Sequence, residues 1–157
     1  MILRKATIDD IKLLIRCRID YLSEDKMQYE GRTLTQDEIS TFVPQLEKYL
    51  PKHINDNTFI GMLAEVDGNV VATAYLAITE RPAGTGNNGT VGTFLNVLTY
   101  PEYRRQGIAT KLINAVINEA KEAGVSFIEL WSSFEGKPLY NKIGFTEIKY
   151  TLMGIKP

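Results

Sequence analysis

A chain of 157 residues, 44% hydrophobic and 24% charged, has the make-up of one globular domain spanning 1–157, with room for a proper core. Its net charge of −1 supplies no global basic field for nucleic acid, and its single cysteine excludes a disulfide framework or a Cys-based zinc site. A lone histidine argues against a His-ligated metal, no run is long enough to span a bilayer, and Met1-Ile2-Leu3-Arg4-Lys5 lacks an apolar leader core, so a reduced, cytoplasmic setting without a membrane partner is expected.

Ile2 to Ala6 reads as a first strand. Thr7-Ile8-Asp9-Asp10 resembles a capping box. Ile11, Leu14, Ile15, Ile19 and Leu22 then recur at helical spacing, which predicts a first helix to about Leu22. Cys17 within it reads as a buried, inert thiol. The polar stretch Ser23 to Leu34, with Gly31, predicts a loop. Thr35-Gln36-Asp37-Glu38 starts a second helix carrying Ile39, Phe42, Val43, Leu46 and Leu50. Pro44 is expected to kink or split it, and Pro51 to end it, with His53 on the surface beyond.

Thr58 to Val66 and Val70 to Thr79 predict a hairpin through Asp67-Gly68-Asn69, extended by a third strand into an antiparallel meander. The intervening Glu80 to Gly89 contains Gly84-Thr85-Gly86-Asn87-Asn88-Gly89, which spells G-x-G-x-x-G. A dinucleotide site needs a helix next, and Thr90 to Thr99 is β-rich, so this is read as a turn.

Arg104-Arg105-Gln106-Gly107-Ile108-Ala109 links that apolar strand to an amphipathic helix, Ile108 to Ala123, stopped by Gly124. The first turn of a helix has unpartnered N–H groups and the positive end of the dipole, a site for phosphate. Gly107 has no Cβ, so the backbone can approach a ligand closely, and the two arginines add positive charge. The hexad therefore reads as a pyrophosphate cradle. Ser126 to Trp131 predicts a strand parallel to the one before the cradle. Glu135 to Ile143 reads as a short helix and Phe145 to Met153 as a last strand.

Arg104 to Ala109 matches the signature of the GCN5-related N-acetyltransferase family: Arg or Gln, two residues, Gly, one residue, then Gly or Ala. Tyr100-Pro101-Glu102-Tyr103 and Leu139-Tyr140-Asn141-Lys142-Ile143-Gly144-Phe145 also resemble landmarks of that family. The resemblance covers nearly the whole chain. It implies an α/β fold whose mixed, mostly antiparallel twisted sheet is flanked by helices and splays open at one parallel strand pair. Acetyl-CoA, without a metal, is the implied co-substrate, lying in that split. By position, the amides of Arg105, Gln106, Gly107, Ile108, Ala109 and Thr110 would hold its pyrophosphate. Val97, Leu98 and Thr99 would pair with the pantetheine arm, and Ser132 or Ser133 would touch it. Arg105 is favoured over Arg104 for a phosphate role.

Tyr140 stands where the family has a general acid for the departing thiolate. The resemblance suggests a backbone N–H at Leu98 or its neighbour for the oxyanion. Some members carry a glutamate in the strand before the turn; Thr93 to Val97 holds none, so the base is either water or an acid such as Glu129. The acceptor, an amine of a small molecule or peptide, is expected between the first two helices and the Glu80–Gly89 loop. There Glu24, Asp25, Glu30, Asp37 and Glu38 are acidic and Tyr21, Tyr29 and Tyr49 are candidate wall residues. Phe42 is read as core. A non-catalytic acyl-CoA-binding module is the alternative, and a homodimer, common in such folds, stays open.

Overall fold

The structure, a computed structural model, describes residues 1–149 and 153–156. Its centre is a five-stranded sheet in the order β1-β2-β3-β4-β5, formed by β1 (Ile2–Lys5), β2 (Phe59–Val66), β3 (Asn69–Glu80), β4 (Thr90–Thr99) and β5 (Phe127–Glu129). The first four strands pair antiparallel and β5 joins β4 in parallel. Helices α1 (Ile11–Glu30) and α2 (Gln36–Asn55) cover one face and α3 (Ile108–Glu122) the other, with α4 (Lys137–Ile143) after β5. None of the described helices is long and apolar enough to cross a membrane.

Strand alternation divides the core in two. Ile60, Met62 and Ala64 of β2 and Ala74 and Leu76 of β3 meet Leu112, Ile113, Val116 and Ala120 of α3. Phe59, Leu63 and Tyr75 face Leu14, Ile15, Cys17 and Leu50 from α1 and α2. Leu14, Leu63, Leu76, Leu112, Ile113 and Val116 are each 0% exposed, and full burial of such a side chain contributes about 1.5–3 kcal/mol. Arg4 ties β1 into this frame, with Asp10 at 2.8 Å and Glu65 at 2.7 Å.

The turn chemistry follows the sequence. Val66 pairs with Asn69 across a two-residue loop in which Asp67 (φ 50°) and Gly68 (φ 77°) are both left-handed, as a hairpin twist requires. Thr35 caps α2, its Oγ1 accepting from Glu38 N–H at 3.2 Å while its own N–H donates to Glu38 at 2.9 Å. Gly89 must be glycine: a Cβ there would lie 2.3 Å from the Arg81 carbonyl, where the β3–β4 connection closes. That connection leads straight into β4, so the glycine-rich stretch has no helix to serve as a dinucleotide site.

Three expectations are corrected. The predicted loop from Ser23 is helical to Glu30. This stretch has no Gly or Pro, gains a Lys26–Glu30 ion pair at 2.8 Å, and ends only at left-handed Gly31. Helix α2 does not end at Pro51 but runs, unsplit at Pro44, to Asn55, because each proline deletes a single bond and the flanking turns carry the helix on. The expected last strand is not formed over Phe145–Lys149; residues 150–152 lie outside the described residues.

Candidate active site

Two features open the sheet. The β4–β5 ladder is three residues long, from Val91 opposite Phe127 to Thr93 opposite Glu129. Just beyond, the β3 register jumps from Leu76–Phe94 to Tyr75–Asn96, leaving Leu95 as an extra residue that bulges from β4. Arg18 Nη1 donates to the freed Leu95 carbonyl, and buried Asn96 donates from Nδ2 to Thr73 Oγ1 at 3.0 Å. After the bulge β4 continues through Val97, Leu98 and Thr99 with β3 on one side and no strand on the other among the described residues.

The free edge is polar. Tyr100 N–H bonds to the Val71 carbonyl at 3.0 Å, so by antiparallel alternation Leu98 turns its main-chain groups to β3 and Val97 and Thr99 turn theirs to the opening. Of the candidates for an oxyanion donor, Leu98 is therefore the one whose amide points away. The Thr99 carbonyl, on the open side, accepts from Arg104 Nε at 2.8 Å. Thr99 Oγ1 is buried without a partner among the described residues.

Past Thr99 the chain turns through Pro101–Tyr103 and enters the hexad. Arg105 (φ 63°) and Gly107 (φ 76°) are both left-handed, so the amides around them converge into a concave nest. The first helical amide to find a carbonyl is Lys111, bonded to Gly107 at 3.2 Å. The N–H groups of Ile108, Ala109 and Thr110 therefore stay open at the positive end of α3. No atom would lie within 4 Å of a Cβ on Gly107, so the nest faces open space. Arg104 is engaged elsewhere, with Thr99 and, at 2.5 Å, with Glu24 of α1. Arg105 makes no ion pair among the described residues.

Nest, free edge and opening form one cavity of about 1280 Å³. Val97, Leu98, Thr99, Arg105, Gly107, Ile108, Ala109, Thr110, Ser133 and Tyr140 all line it; Gln106 stands outside the lining and donates to the Glu102 carbonyl at 3.2 Å. Tyr140 comes from α4, its ring edge-on to Phe145 at 5.8 Å. Burial, with a smaller contribution from nearby Tyr21, pushes its phenol up to about 12. Ser133 Oγ accepts from Gly136 N–H at 3.0 Å and so shapes the entry to α4.

The structure moves other candidates out of the site. Glu129 lies at the closed end of the split, paired with Arg81 at 2.5 Å and accepting from Thr93 Oγ1 at 3.2 Å. Arg81 lowers its pKa, and the carboxylate is held away from Tyr140's end of the cavity. The Glu80–Gly89 loop contributes nothing to the lining, because it joins β4 at Thr90 whereas the opening lies beyond Thr93. The acidic mouth is largely neutralised: Glu30 and Glu38 pair with Lys26 and Arg32, and Glu24 with Arg104. His53 is half-buried rather than at the surface, stacked on Tyr49 at 4.0 Å. Phe42 is half-buried and outside both core clusters.

The far wall comes from the last turns of α1, most of them in the stretch expected to be a loop. Tyr21, inside the predicted helix, and Glu24, Asp25 and Gln28 beyond it line the wall at helical spacing, and that spacing is the signal the sequence carries. Tyr29 joins them, while Tyr49 packs with the α1–α2 core.

Residues 21–145 match the model of the acetyltransferase (GNAT) family. The chain belongs to this family. A predicted acetyltransferase of Clostridium acetobutylicum, solved with acetyl-CoA, is 30% identical, with a TM-score of 0.81 over 98% of this chain and 95% of that one. A GCN5-related N-acetyltransferase of Ralstonia eutropha is 25% identical, with a TM-score of 0.79 over 98% of this chain and 97% of its own. An uncharacterized N-acetyltransferase of Methanocaldococcus jannaschii is 31% identical over 103 residues, 64% of this chain. That match spans 43% of the relative's own length. The GNAT fold expected from the hexad, a mixed sheet splayed at a parallel pair, is the fold observed.

Proposed function

We propose that this GNAT protein is an acetyl-CoA-dependent N-acetyltransferase acting on an amine of a small molecule or peptide. One observation carries the reading: two sets of open main-chain donors, on the free edge of β4 at Val97 and Thr99 and in the nest and first turn of α3, line the one cavity that also holds Tyr140. A diphosphate with an extended amide-bearing arm has the charge and length to reach both. The Clostridium relative was solved with acetyl-CoA.

In this reading the amides from Arg105 to Thr110 hold the diphosphate, with the Arg105 guanidinium beside them. Val97 and Thr99 offer their main-chain groups to the pantetheine arm, with Leu98 and Ser133 in contact. The inward N–H groups are also the donors available to a developing oxyanion. Tyr140 donates to the departing sulfur. At about 12 its phenol stays protonated at neutral pH, as a donor must. It is a weaker acid than a free thiol near 8.5, so its part is a hydrogen bond to the thiolate more than a completed transfer. The amine's proton leaves through water in the open cavity.

The test is release of coenzyme A thiol from acetyl-CoA over a panel of primary amines. Amine-dependent release supports the enzyme. Tight coenzyme binding with no release for any amine would favour a binding module instead.

A further inference from the structure

On the α1–α2 side of the sheet a second cavity, of about 280 Å³, opens beneath α2. Its walls are apolar, with Leu46, Leu50, Phe59 and Leu95 beside the rings of Tyr49 and Tyr75. The one charged residue among them is Arg18 of α1. Its Nη1 serves the bulge, donating to Leu95 and lying 3.5 Å from Asn96 Oδ1. Nε and Nη2 have no partner among the described residues, and no carboxylate there comes within ion-pair distance. Burial pulls the guanidinium below its ordinary pKa, and the charges that oppose the shift, from Tyr21, Tyr75 and Asp25, offset it only in part.

A bulge carbonyl needs one donor, and a neutral amide or hydroxyl would supply it. A half-buried guanidinium instead carries a desolvation cost, and the Leu95 carbonyl and the Tyr21 ring offset it without supplying a counter-charge. Its location suggests where one would come from. Arg18 sits over the Tyr21 ring, 5.4 Å from the centroid, and Tyr21 lines the large cavity near Tyr140. The guanidinium thus borders the apolar cavity and, through the Tyr21 ring, meets the wall of the large one.

We infer that the acceptor amine also bears a carboxylate, which pairs with Arg18, and an apolar group, which fills the cavity between α2 and the sheet. The inference rests on the acetyltransferase reading and names its substrate class. One planar guanidinium matches one carboxylate through two parallel bonds. A phosphate dianion among these apolar walls would keep an uncompensated charge. A cavity of 280 Å³ is near the lower end for ligand pockets and suits a side-chain-sized group rather than a polymer.

Calorimetry on the protein saturated with coenzyme A tests this without requiring turnover. The probes are 3-phenylpropionate, its neutral amide and 2-phenylethyl phosphate. The carboxylate should bind at least about tenfold tighter than either of the others, the loss expected for one charged hydrogen bond. Arg18→Gln should erase that preference and Arg18→Lys should keep part of it. Leu46→Trp, which fills the cavity and spares the bulge, should weaken 3-phenylpropionate by a similar factor and leave coenzyme A binding unchanged. Equal binding of acid and amide by the wild type, no binding of the acid, or undiminished binding of 3-phenylpropionate by Leu46→Trp overturns the inference while the coenzyme reading stands. Failure of the wild type to bind coenzyme A at all takes down both.

Discussion

Gly107 separates backbone strain from coenzyme binding in a single position. It holds φ 76° and ψ 6°, a conformation that costs an L-residue about 1–2 kcal/mol, and no protein atom lies within 4 Å of the Cβ it lacks. Gly107→Ala therefore adds strain without a clash. For a chain of this size the melting temperature should fall by about 2–8 °C, at about 2–4 °C per kcal/mol. Gly107→Glu adds the same strain and sets a carboxylate in the nest. There it repels a diphosphate and competes for the open amides. Losing two charge-assisted bonds at about 1.5–3 kcal/mol each implies at least a hundredfold, or about 3 kcal/mol, weaker acetyl-CoA binding. The assay is calorimetric titration with acetyl-CoA, beside thermal melts of each variant. Alanine should stay within about tenfold of wild type, since its methyl group carries no charge. A folded Gly107→Glu variant that binds acetyl-CoA as the wild type does would refute the cradle.

Tyr140→Phe retains the ring against Phe145 and removes only the donor, so turnover should fall about 10²-fold or more while acetyl-CoA affinity holds within about twofold. With the phenol at about 12, Tyr140 should produce no alkaline fall in rate below roughly pH 11, which a pH–rate profile checks. Glu129→Gln should leave turnover within about threefold, because a general base would be worth about 10²–10⁴ and this carboxylate is held by Arg81. Asp10, its carboxyl drawn down to about 2 chiefly by its hydrogen bond from Arg4, has a depressed folded pKa. Its stabilisation is present above the ordinary carboxylate range and is lost as pH falls toward 2. Asp10→Asn should thus cost about 1–2 kcal/mol at pH 7 and almost nothing near pH 2, read from denaturant melts at both.

The elements whose pattern is local were legible in the sequence. The hairpin at Asp67-Gly68, the cap at Thr35 and the start of α3 after Gly107 each depend on residues within a few positions, and each is where it was expected. The parallel β4–β5 pair followed from strand, helix and strand in succession. What stayed hidden depends on pairing across the chain. The Leu95 bulge exists only as a mismatch between β3 and β4, and nothing near Leu95 announces it. The second half of α1 was misread because its apolar period fades after Leu22. Its residues face a cavity and solvent, so the face that periodicity detects is missing there. Glu129 was a base candidate by strand position alone; its partner Arg81 comes from the far end of β3, a distance no linear reading supplies.

The extra residue in β4 makes the length of that strand as consequential as its composition. Tyr75 opposes Asn96 and Leu76 opposes Phe94, so deleting Leu95 would restore an unbroken ladder and leave Val97 and Thr99 facing as they do. What would be lost is the extra residue that kinks β4 away from β5, and with it the device that holds the doorway open. The segment should accept many single substitutions and few single-residue deletions, the inverse of what an ordinary surface connection tolerates.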